Sequence, residues 1–149
     1  MRAHPGLARP EGVRQTLEIF SDPWAFALLQ ETFFGVRRFD DFQRHLAISR
    51  NVLTKRLKAL VDHRILVRKL YQRRPDRYEY RLTDRGRALY PIFVTMDQWG
   101  QRWLQTGPPA GWEAIHGTCG SVLRPRLICE HCGESVDAHD MRIEVGEEQ

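Results

Sequence analysis

The chain has 149 residues and a formal net charge of +4, which is enough for one ordinary domain and a small appendage. No apolar run approaches the ~18 residues that a membrane span needs, and the first fifteen residues lack the apolar stretch of a secretory signal. We therefore expect a cytoplasmic protein without a membrane partner.

The charge is unevenly distributed along the chain. Residues 36–87 contain 16 Lys and Arg against 6 Asp and Glu, whereas residues 110–149 contain 3 against 8. A basic block of this kind attracts polyanions by steering and counterion release. The acidic end argues against a general affinity of the whole chain for nucleic acid or membranes, so the basic block is the place to look for a binding site.

Two helices are predicted near the start of the chain. Residues 1–11 have no periodicity and are expected to form a flexible arm, whereas residues 12–20 place apolar side chains on one side of a short helix. Asp22 and Pro23 fit the N-cap and the first position of a second helix. That helix is apolar almost all round and should be buried, and Gly35 ends it in the left-handed region.

A helix-turn-helix is predicted next. After a short extended piece at residues 36–38, residues 39–46 form a helix with acidic residues in its first turn. Ser49 then caps a helix over about residues 49–63, whose apolar face is made by Leu53, Leu57, Leu60 and Val61 and whose opposite face carries Asn51, Lys55, Lys58 and Asp62. The outward amide and lysines suit phosphates and base edges. The alternative is an ordinary solvated helix face.

A basic hairpin follows this helix. Residues 66–70 and 78–82 alternate between apolar and polar residues, which predicts two half-buried strands. The turn between them, at about residues 72–77, contains Arg73, Arg74 and Arg77. Their side chains can reach a phosphate backbone or a minor groove. Alternatively, an arginine-rich hairpin tip serves only solubility.

A long apolar stripe marks the last helix, predicted from a cap at Thr83 to about Leu104. Its members recur at three- and four-residue steps and are Leu89, Ile92, Met96, Trp99 and Trp103. With Leu17 of the first helix, they are the candidate contacts with a second subunit. Packing on the first two helices of the same chain is the alternative. Pro91 is expected to kink the helix.

The end of the chain has the composition of a separate small metal site. Residues 106–112 contain two prolines and two glycines and are predicted to be a linker. In the tail, residues 113–149, His116 and Cys119 form one pair and Cys129 and Cys132 another, each with two residues between the ligands. Such pairs fit a tetrahedral structural zinc site, with His131 or His139 as alternatives to His116. The other interpretations are a small hairpin with reduced thiols and a redox sensor. No internal repeat is apparent in the sequence.

The fold class predicted by these elements is mainly α with a small β-hairpin wing, an α+β winged helix-turn-helix, followed by a small β-rich zinc-ribbon-like appendage. Residues 12–105 form the winged-helix domain in this interpretation. No nucleophile–base pair or phosphate-cradling loop indicates an enzyme.

The segments RRFDDFQ, VLTKRLKAL, RYEYRLTDRG and ALYPIF together resemble the HxlR-type winged-helix transcriptional regulators over about residues 13–104. The resemblance implies a homodimer that binds double-stranded DNA, with the first and last helices at the dimer interface and an unknown effector. It places DNA contacts on Ser49, Arg50, Asn51, Thr54, Lys55 and the wing arginines. The sensor cysteine that some members carry before the first helix is absent from residues 12–14, which argues against a thiol switch there. The alternative function is a winged-helix and zinc-ribbon interaction module that docks on the transcription machinery.

Overall fold

The computed structural model describes residues 10–20, 22–104 and 113–140. Within these residues there are six α-helices and one two-stranded antiparallel sheet, in the order α1 Glu11–Phe20, α2 Pro23–Phe33, α3 Phe39–Leu46, α4 Arg50–Asp62, β1 Leu66–Gln72, β2 Arg77–Leu82, α5 Asp84–Arg87 and α6 Tyr90–Trp103. The chain divides into two compact units. The first unit ends at Phe93, and the second unit begins at Val94. No helix among the described residues is long and apolar enough to cross a membrane.

The first two helices form close to where the sequence predicts them. Helix α1 begins at Glu11, the last residue of the predicted arm, and the other arm positions except Pro10 lie outside the described residues. At the start of α2 the Asp22 carboxylate accepts hydrogen bonds from the backbone N–H groups of Trp24 and Ala25 at 2.8 and 3.3 Å. Gly35, just beyond the end of α2, has φ +90°, as expected of a residue that ends a helix in the left-handed region.

The helix-turn-helix is confirmed, and its turn is short. Helix α3 ends at Leu46, and Ala47 takes a left-handed conformation with φ +50°. Ile48 is buried, and Ser49 caps α4 by accepting a hydrogen bond from the Val52 N–H at 3.4 Å. The turn directs α4 across α2 and α3 and against β1, all of which it contacts.

The wing is an antiparallel hairpin with a third, minimal strand beside it. Strands β1 and β2 pair from Leu66 opposite Leu82 to the turn at residues 73–76. Arg38, just before α3, forms a bridge with Glu79, and the Tyr80 N–H donates to the Arg37 carbonyl at 2.7 Å. The extended piece predicted at residues 36–38 therefore ties the helix-turn-helix to the wing.

The expected half-buried alternation of the two strands is only partly present. Leu66 is buried, but Leu70 is 39% exposed, and the rest of β1 beyond Val67 is exposed. The hairpin therefore leaves the core after its first residues and projects its distal part into solvent.

The prediction of one continuous helix from Thr83 to Leu104 is wrong, because two helices, α5 and α6, occupy this segment. The Thr83 hydroxyl caps the short helix α5 by accepting from the Gly86 N–H at 3.0 Å, and a turn at residues 88–89 separates α5 from α6. Pro91 is the second residue of α6, where a missing backbone N–H removes no helical hydrogen bond. The kink expected at Pro91 is therefore replaced by a break before it.

The core of the first unit lies between the helix-turn-helix and the base of the wing. Its members are apolar side chains of α2, α3, α4, β1 and the two connections that flank α4, and all are almost completely buried: Leu28, Leu29, Phe42, Ile48, Leu53, Leu57, Leu60, Ile65 and Leu66. The face of α4 that was predicted to pack is thus confirmed for its three leucines. Phe93 joins them from α6 and packs its ring against Phe26 and Phe33 at centroid distances of 5.9 and 5.6 Å.

In the second unit, residues 113–140 form turns rather than a sheet. Among these residues the β structure is limited to two single bridges, Ile115 with Val122 and Ile128 with Ser135. The predicted β-rich appendage is therefore reduced to two small loops closed by single bridges. None of the side chains in residues 113–140 is buried.

Candidate DNA interface

The outward face of α4 presents the side chains that the sequence singled out. Ser49, Arg50, Asn51, Thr54, Lys55 and Lys58 are all exposed. In the described part of the chain no hydrogen bond or ion pair engages the side chains of Asn51 and Lys55, so their side-chain donors are available to a ligand. Lys58 instead forms an ion pair with Asp62, with 2.6 Å between Nζ and Oδ2.

Two further members of this face are held by neighbours on the same chain. The Thr54 hydroxyl donates to the Arg50 carbonyl at 2.9 Å, which leaves its oxygen able to accept. The Arg50 guanidinium lies over the Phe39 ring, 4.9 Å from its centroid. Stacking of this kind orients a cation without neutralising it, so Arg50 keeps its charge beside the N-terminus of α4.

Polar contacts fix α4 relative to the preceding helices. The Arg56 guanidinium forms an ion pair with Asp22, the N-cap of α2. Glu31 of α2 and His45 of α3 lie 2.7 Å apart through Oε2 and Nδ1. These contacts hold the two helices that frame α4, and the sequence pattern predicted neither of them.

The wing carries its arginines at the exposed tip. Arg73 and Arg74 lie in the turn and Arg77 begins β2, and all three are exposed. Within the described residues no hydrogen bond or ion pair engages their side chains. Arg74 has φ +63°, which makes the turn sharp and leaves three positive side chains at the far end of the hairpin.

An arginine-lined groove runs between α3, the start of α4 and the wing. Its lining includes Arg38, Arg44, Arg50, Arg68 and Arg77, together with four aromatic rings and three aspartates. Two of the arginines are stacked on tyrosines of the hairpin: Arg38 over Tyr71 at 4.9 Å and Arg68 over Tyr78 at 3.6 Å. Preoriented guanidinium groups suit phosphate oxygens. Sequence reasoning did not select Arg38, Arg44 and Arg68, although they belong to the basic block.

The predicted dimer residues divide into two groups. Leu89 is partly buried against the core of its own chain, so it contributes to the fold of one subunit. The others are exposed: Leu17 by 60%, Ile92 by 39%, Met96 by 53%, Trp99 by 57% and Trp103 by 62%. The early part of α6 does pack on its own chain, because Tyr90 and Phe93 contact Phe33 of α2.

The four predicted metal ligands occur as two local pairs. His116 Nδ1 and Cys119 Sγ lie 3.4 Å apart, and the Cys132 side chain is near enough to Cys129 to lower the pKa of its thiol. Among the described residues, no group of three or more His, Cys, Asp or Glu is close enough to hold a metal ion. The structure therefore brings each pair together but does not assemble the four side chains into one site.

Hydrogen bonds lower the pKa of the Cys129 thiol. They come first from the backbone N–H of Cys132, then from the backbone N–H of His131 and from the Cys132 side chain. A hydrogen bond to sulfur favours the thiolate over the thiol. The turn thus stabilises the charged form of Cys129.

Comparison with known proteins identifies the family. The sequence pattern of the HxlR-like helix-turn-helix family matches residues 19–108. The chain belongs to this family. A relative from Mycobacterium tuberculosis, named as an HTH-type transcriptional regulator, is 43% identical over 138 residues, which cover 91% of this chain and 86% of the relative. The HxlR-type chain thus shares the helix-turn-helix of this family, and the relatives with which it is compared are named as HTH-type transcriptional regulators.

Solved structures show the same architecture. The crystal structure of PA1607, described as a proposed transcription factor, superposes with a TM-score of 0.77 at 30% identity and covers 89% of this chain and 92% of that chain. The reduced form of the redox regulator HypR has a TM-score of 0.59 at 33% identity over 63% of this chain and 94% of that chain. The similarity to PA1607 thus extends well beyond the winged helix of this HxlR-type chain.

Proposed function

We propose that this HxlR-type regulator binds a specific double-stranded DNA operator as a homodimer. The observation that carries the proposal is the exposed face of α4, on which Asn51 and Lys55 have free donors beside Arg50 and Thr54. In this proposal α4 lies in the major groove, where an asparagine can pair with adenine and arginine or lysine with guanine. Ser49 and Lys58 stand at the two ends of the contact, and Lys58 must exchange Asp62 for a phosphate to take part.

The wing supplies the sequence-independent part of the binding. Arg73, Arg74 and Arg77 project from the hairpin tip and contact the phosphate backbone or the adjacent minor groove. The groove between the wing and α3 extends this surface, since its stacked arginines already face solvent. Phosphate contacts fix the register of the protein on the duplex, whereas base contacts select the sequence.

A homodimer would double this surface. Leu17, Met96, Trp99 and Trp103 are each more than half exposed, and the last three recur at three- and four-residue steps along α6. Apolar side chains in such a row are typical of a helix that packs against another helix. Two-fold symmetry would then impose two related half-sites on the operator.

Docking on the transcription machinery is not favoured as the main function. The relatives of this chain are named as HTH-type transcriptional regulators, and the solvent-facing side of α4 has the donors that base edges require. A zinc-ribbon-like tail is compatible with operator binding and with docking on the transcription machinery, so it does not decide between these two roles.

Fluorescence anisotropy with a selected operator tests the DNA contacts. Asn51→Ala should weaken operator binding by about 5- to 150-fold, equivalent to ~1–3 kcal/mol for one bidentate base contact, while leaving binding to random duplex nearly unchanged. Arg73→Ala should weaken both and reduce the salt slope by about one. Lys55→Ala should also lower affinity.

Arg87→Ala is the matched charge control. It removes the same positive charge, but Arg87 already pairs with Asp84 and donates to the Leu82 carbonyl at 2.9 Å. Its DNA affinity should stay close to that of the unmodified chain. Equal losses for Arg87→Ala and Arg73→Ala would mean that only net charge matters and would contradict the proposed interface.

Sedimentation of the full chain tests the dimer. The unmodified protein should sediment as a dimer at micromolar concentration, and Trp99→Glu should shift it toward the monomer, because a carboxylate cannot be buried unpaired in an apolar contact. Gln98→Glu, at an exposed position on the same helix about 100° around the axis from Trp99, is the control for added charge. A monomeric unmodified chain would overturn this part of the proposal.

A further inference from the structure

The tail contains two copies of one backbone motif. In the first copy Ile115 bridges Val122, and in the second Ile128 bridges Ser135. The outer hydrogen bonds correspond as well: Leu123 N–H donates to the Ala114 carbonyl at 2.7 Å, and Val136 N–H donates to the Leu127 carbonyl at 3.0 Å. Each partner in the second copy stands thirteen positions after its equivalent in the first. The repeat is one of backbone structure, and the sequence pattern did not predict it.

The inner turns of the two copies also correspond atom for atom. Gly120 N–H donates to the His116 carbonyl at 2.8 Å, and His116 N–H donates to the Ser121 carbonyl at 2.9 Å. In the second copy Gly133 N–H donates to the Cys129 carbonyl at 2.7 Å, and Cys129 N–H donates to the Glu134 carbonyl at 2.8 Å. The two glycines have φ +70° and +75°, a conformation that favours glycine.

The predicted ligands occupy equivalent positions in the two turns. His116 corresponds to Cys129 and Cys119 to Cys132, so each turn presents a first ligand and a second ligand just before its glycine. His131 and His139 do not share this equivalence, because His131 falls between the two ligand positions and His139 lies beyond the bridge. The repeat therefore selects His116 from the three histidines.

The local geometry of the pairs suits a tetrahedral ion. Zinc bonds of ≈2.3 Å to sulfur and ≈2.0–2.1 Å to nitrogen place two tetrahedral ligands about 3.6 Å apart. His116 Nδ1 and Cys119 Sγ are separated by 3.4 Å. In the other turn the backbone hydrogen bonds of Cys129 with Gly133 and Glu134 give Cys129 and Cys132 the same backbone setting as His116 and Cys119.

Residues 113–140 of the tail have no hydrophobic core. Residues 113–140 contain no buried side chain, and Ile115, Leu127 and Ile128 are 56%, 68% and 55% exposed. Apolar burial therefore contributes little to its stability. In small domains without a core, a structural metal commonly supplies the missing free energy, because the binding energy of the ion becomes folding energy.

We propose that one zinc ion joins the two turns and is held by His116, Cys119, Cys129 and Cys132. Three thiolates and one imidazole form a closed four-coordinate set of the kind found in structural zinc sites. The repeated backbone places one ligand pair in each turn, and binding of the ion would bring the two pairs together. The site has a structural role and leaves no open position for catalysis.

Metal analysis of the full chain is the direct test. Protein purified without chelator should contain about one zinc ion per chain, and its three thiols should react with a thiol reagent only after a strong chelator removes the metal. Absence of zinc together with three immediately reactive thiols would overturn the proposal. Because this readout involves no DNA, its failure would leave the proposed operator binding untouched.

Histidine variants test the assignment of the fourth ligand. His116→Gln should lower zinc affinity by at least about 100-fold, since loss of a direct ligand should exceed the 10–100-fold effect of losing a second-shell partner. His131→Gln and His139→Gln are the matched controls and should retain zinc. If either control lost zinc while His116→Gln retained it, the two-turn site would be wrong.

Cobalt substitution tests the coordination geometry. The Co²⁺-loaded full chain should give the intense visible absorption of tetrahedral coordination and a thiolate-to-cobalt charge-transfer band. That band should lose about one third of its intensity in Cys119→Ser, if the three thiolates contribute equally. A weak octahedral spectrum, or a charge-transfer band unchanged in this variant, would contradict the ligand set.

Discussion

The two regions of this HxlR-type chain are stabilised in different ways. In the winged helix, Leu28, Phe42, Leu53 and Leu57 are completely buried, and α4 contacts α2, α3 and β1. In residues 113–140 every side chain is at least partly exposed, and the backbone is held by two repeated turns. A region with a hydrophobic core should respond mainly to changes of packing, and a region without one should respond mainly to its ligands.

The largest effect is expected from a packing change in the winged helix. Leu57→Ala should lower its free energy of unfolding by about 3 kcal/mol, because the substitution removes buried methyl groups and leaves a cavity. Leu127→Ala, at a position 68% exposed in the tail, should change the same transition by less than about 0.5 kcal/mol. Urea unfolding followed by helical circular dichroism measures both. Equal effects would mean that burial does not distinguish the two regions.

A second packing prediction concerns the contact of α5 with the chain before β1. A Cβ atom on Gly86 would lie 2.3 Å from the Ile65 carbonyl oxygen, so Gly86→Ala should destabilise the winged helix by about 2 kcal/mol. Gly12→Ala is the control, since a Cβ atom added at this position in α1 would have no atom within 4 Å. That variant should be neutral or slightly stabilising through helix propensity. Thermal unfolding that ranked the two variants in the opposite order would exclude the close contact.

A smaller loss of stability is expected when the ion pair between Asp22, the N-cap of α2, and Arg56 of α4 is removed. Asp22→Ala removes the cap of α2 and the ion pair with Arg56 and should cost about 1 kcal/mol. Asp22→Asn keeps an acceptor for the helix N-terminus and should cost roughly half as much, since only the ion pair is lost. Unfolding curves of the two variants separate the cap from the ion pair. Identical losses would assign the whole effect to the charge.

The smallest effect is expected on the stability of the winged helix when metal is removed from the tail. If zinc holds only the tail, a chelator should leave the main unfolding transition unchanged within error and should not weaken operator binding measurably. The tail itself should lose protection of its backbone amides against hydrogen exchange. Loss of the main transition on chelation would show that the two regions do not have separate sources of stability.

Local patterns in the sequence predicted the parts of the fold that depend on neighbouring residues. The apolar period of α4, the cap at Ser49 and the left-handed Gly35 are properties of a few consecutive residues, and the structure confirms all three. The outward position of Asn51 and Lys55 followed from the same period. Their contact with DNA remains a prediction.

Features that join distant parts of the chain were not predicted. The bridge from Arg38 to Glu79 and the ion pair from Asp22 to Arg56 connect residues far apart in sequence, and no local pattern indicates them. The close approach of Gly86 to the backbone of Ile65 also joins residues far apart in sequence and was not predicted. The repeat in the tail was missed since its two copies share hydrogen bonds but few residue types beyond Cys-Gly.

The central claim is that α4 and the wing read a specific operator as a two-fold symmetric unit. Selection of binding sites from a random pool of duplex DNA with the full, unmodified chain tests this most directly. The account predicts enrichment of two related half-sites about one helical turn apart, with the enriched preference lost in Asn51→Ala. Recovery of unselected sequences, bound only through salt-sensitive contacts, would contradict it.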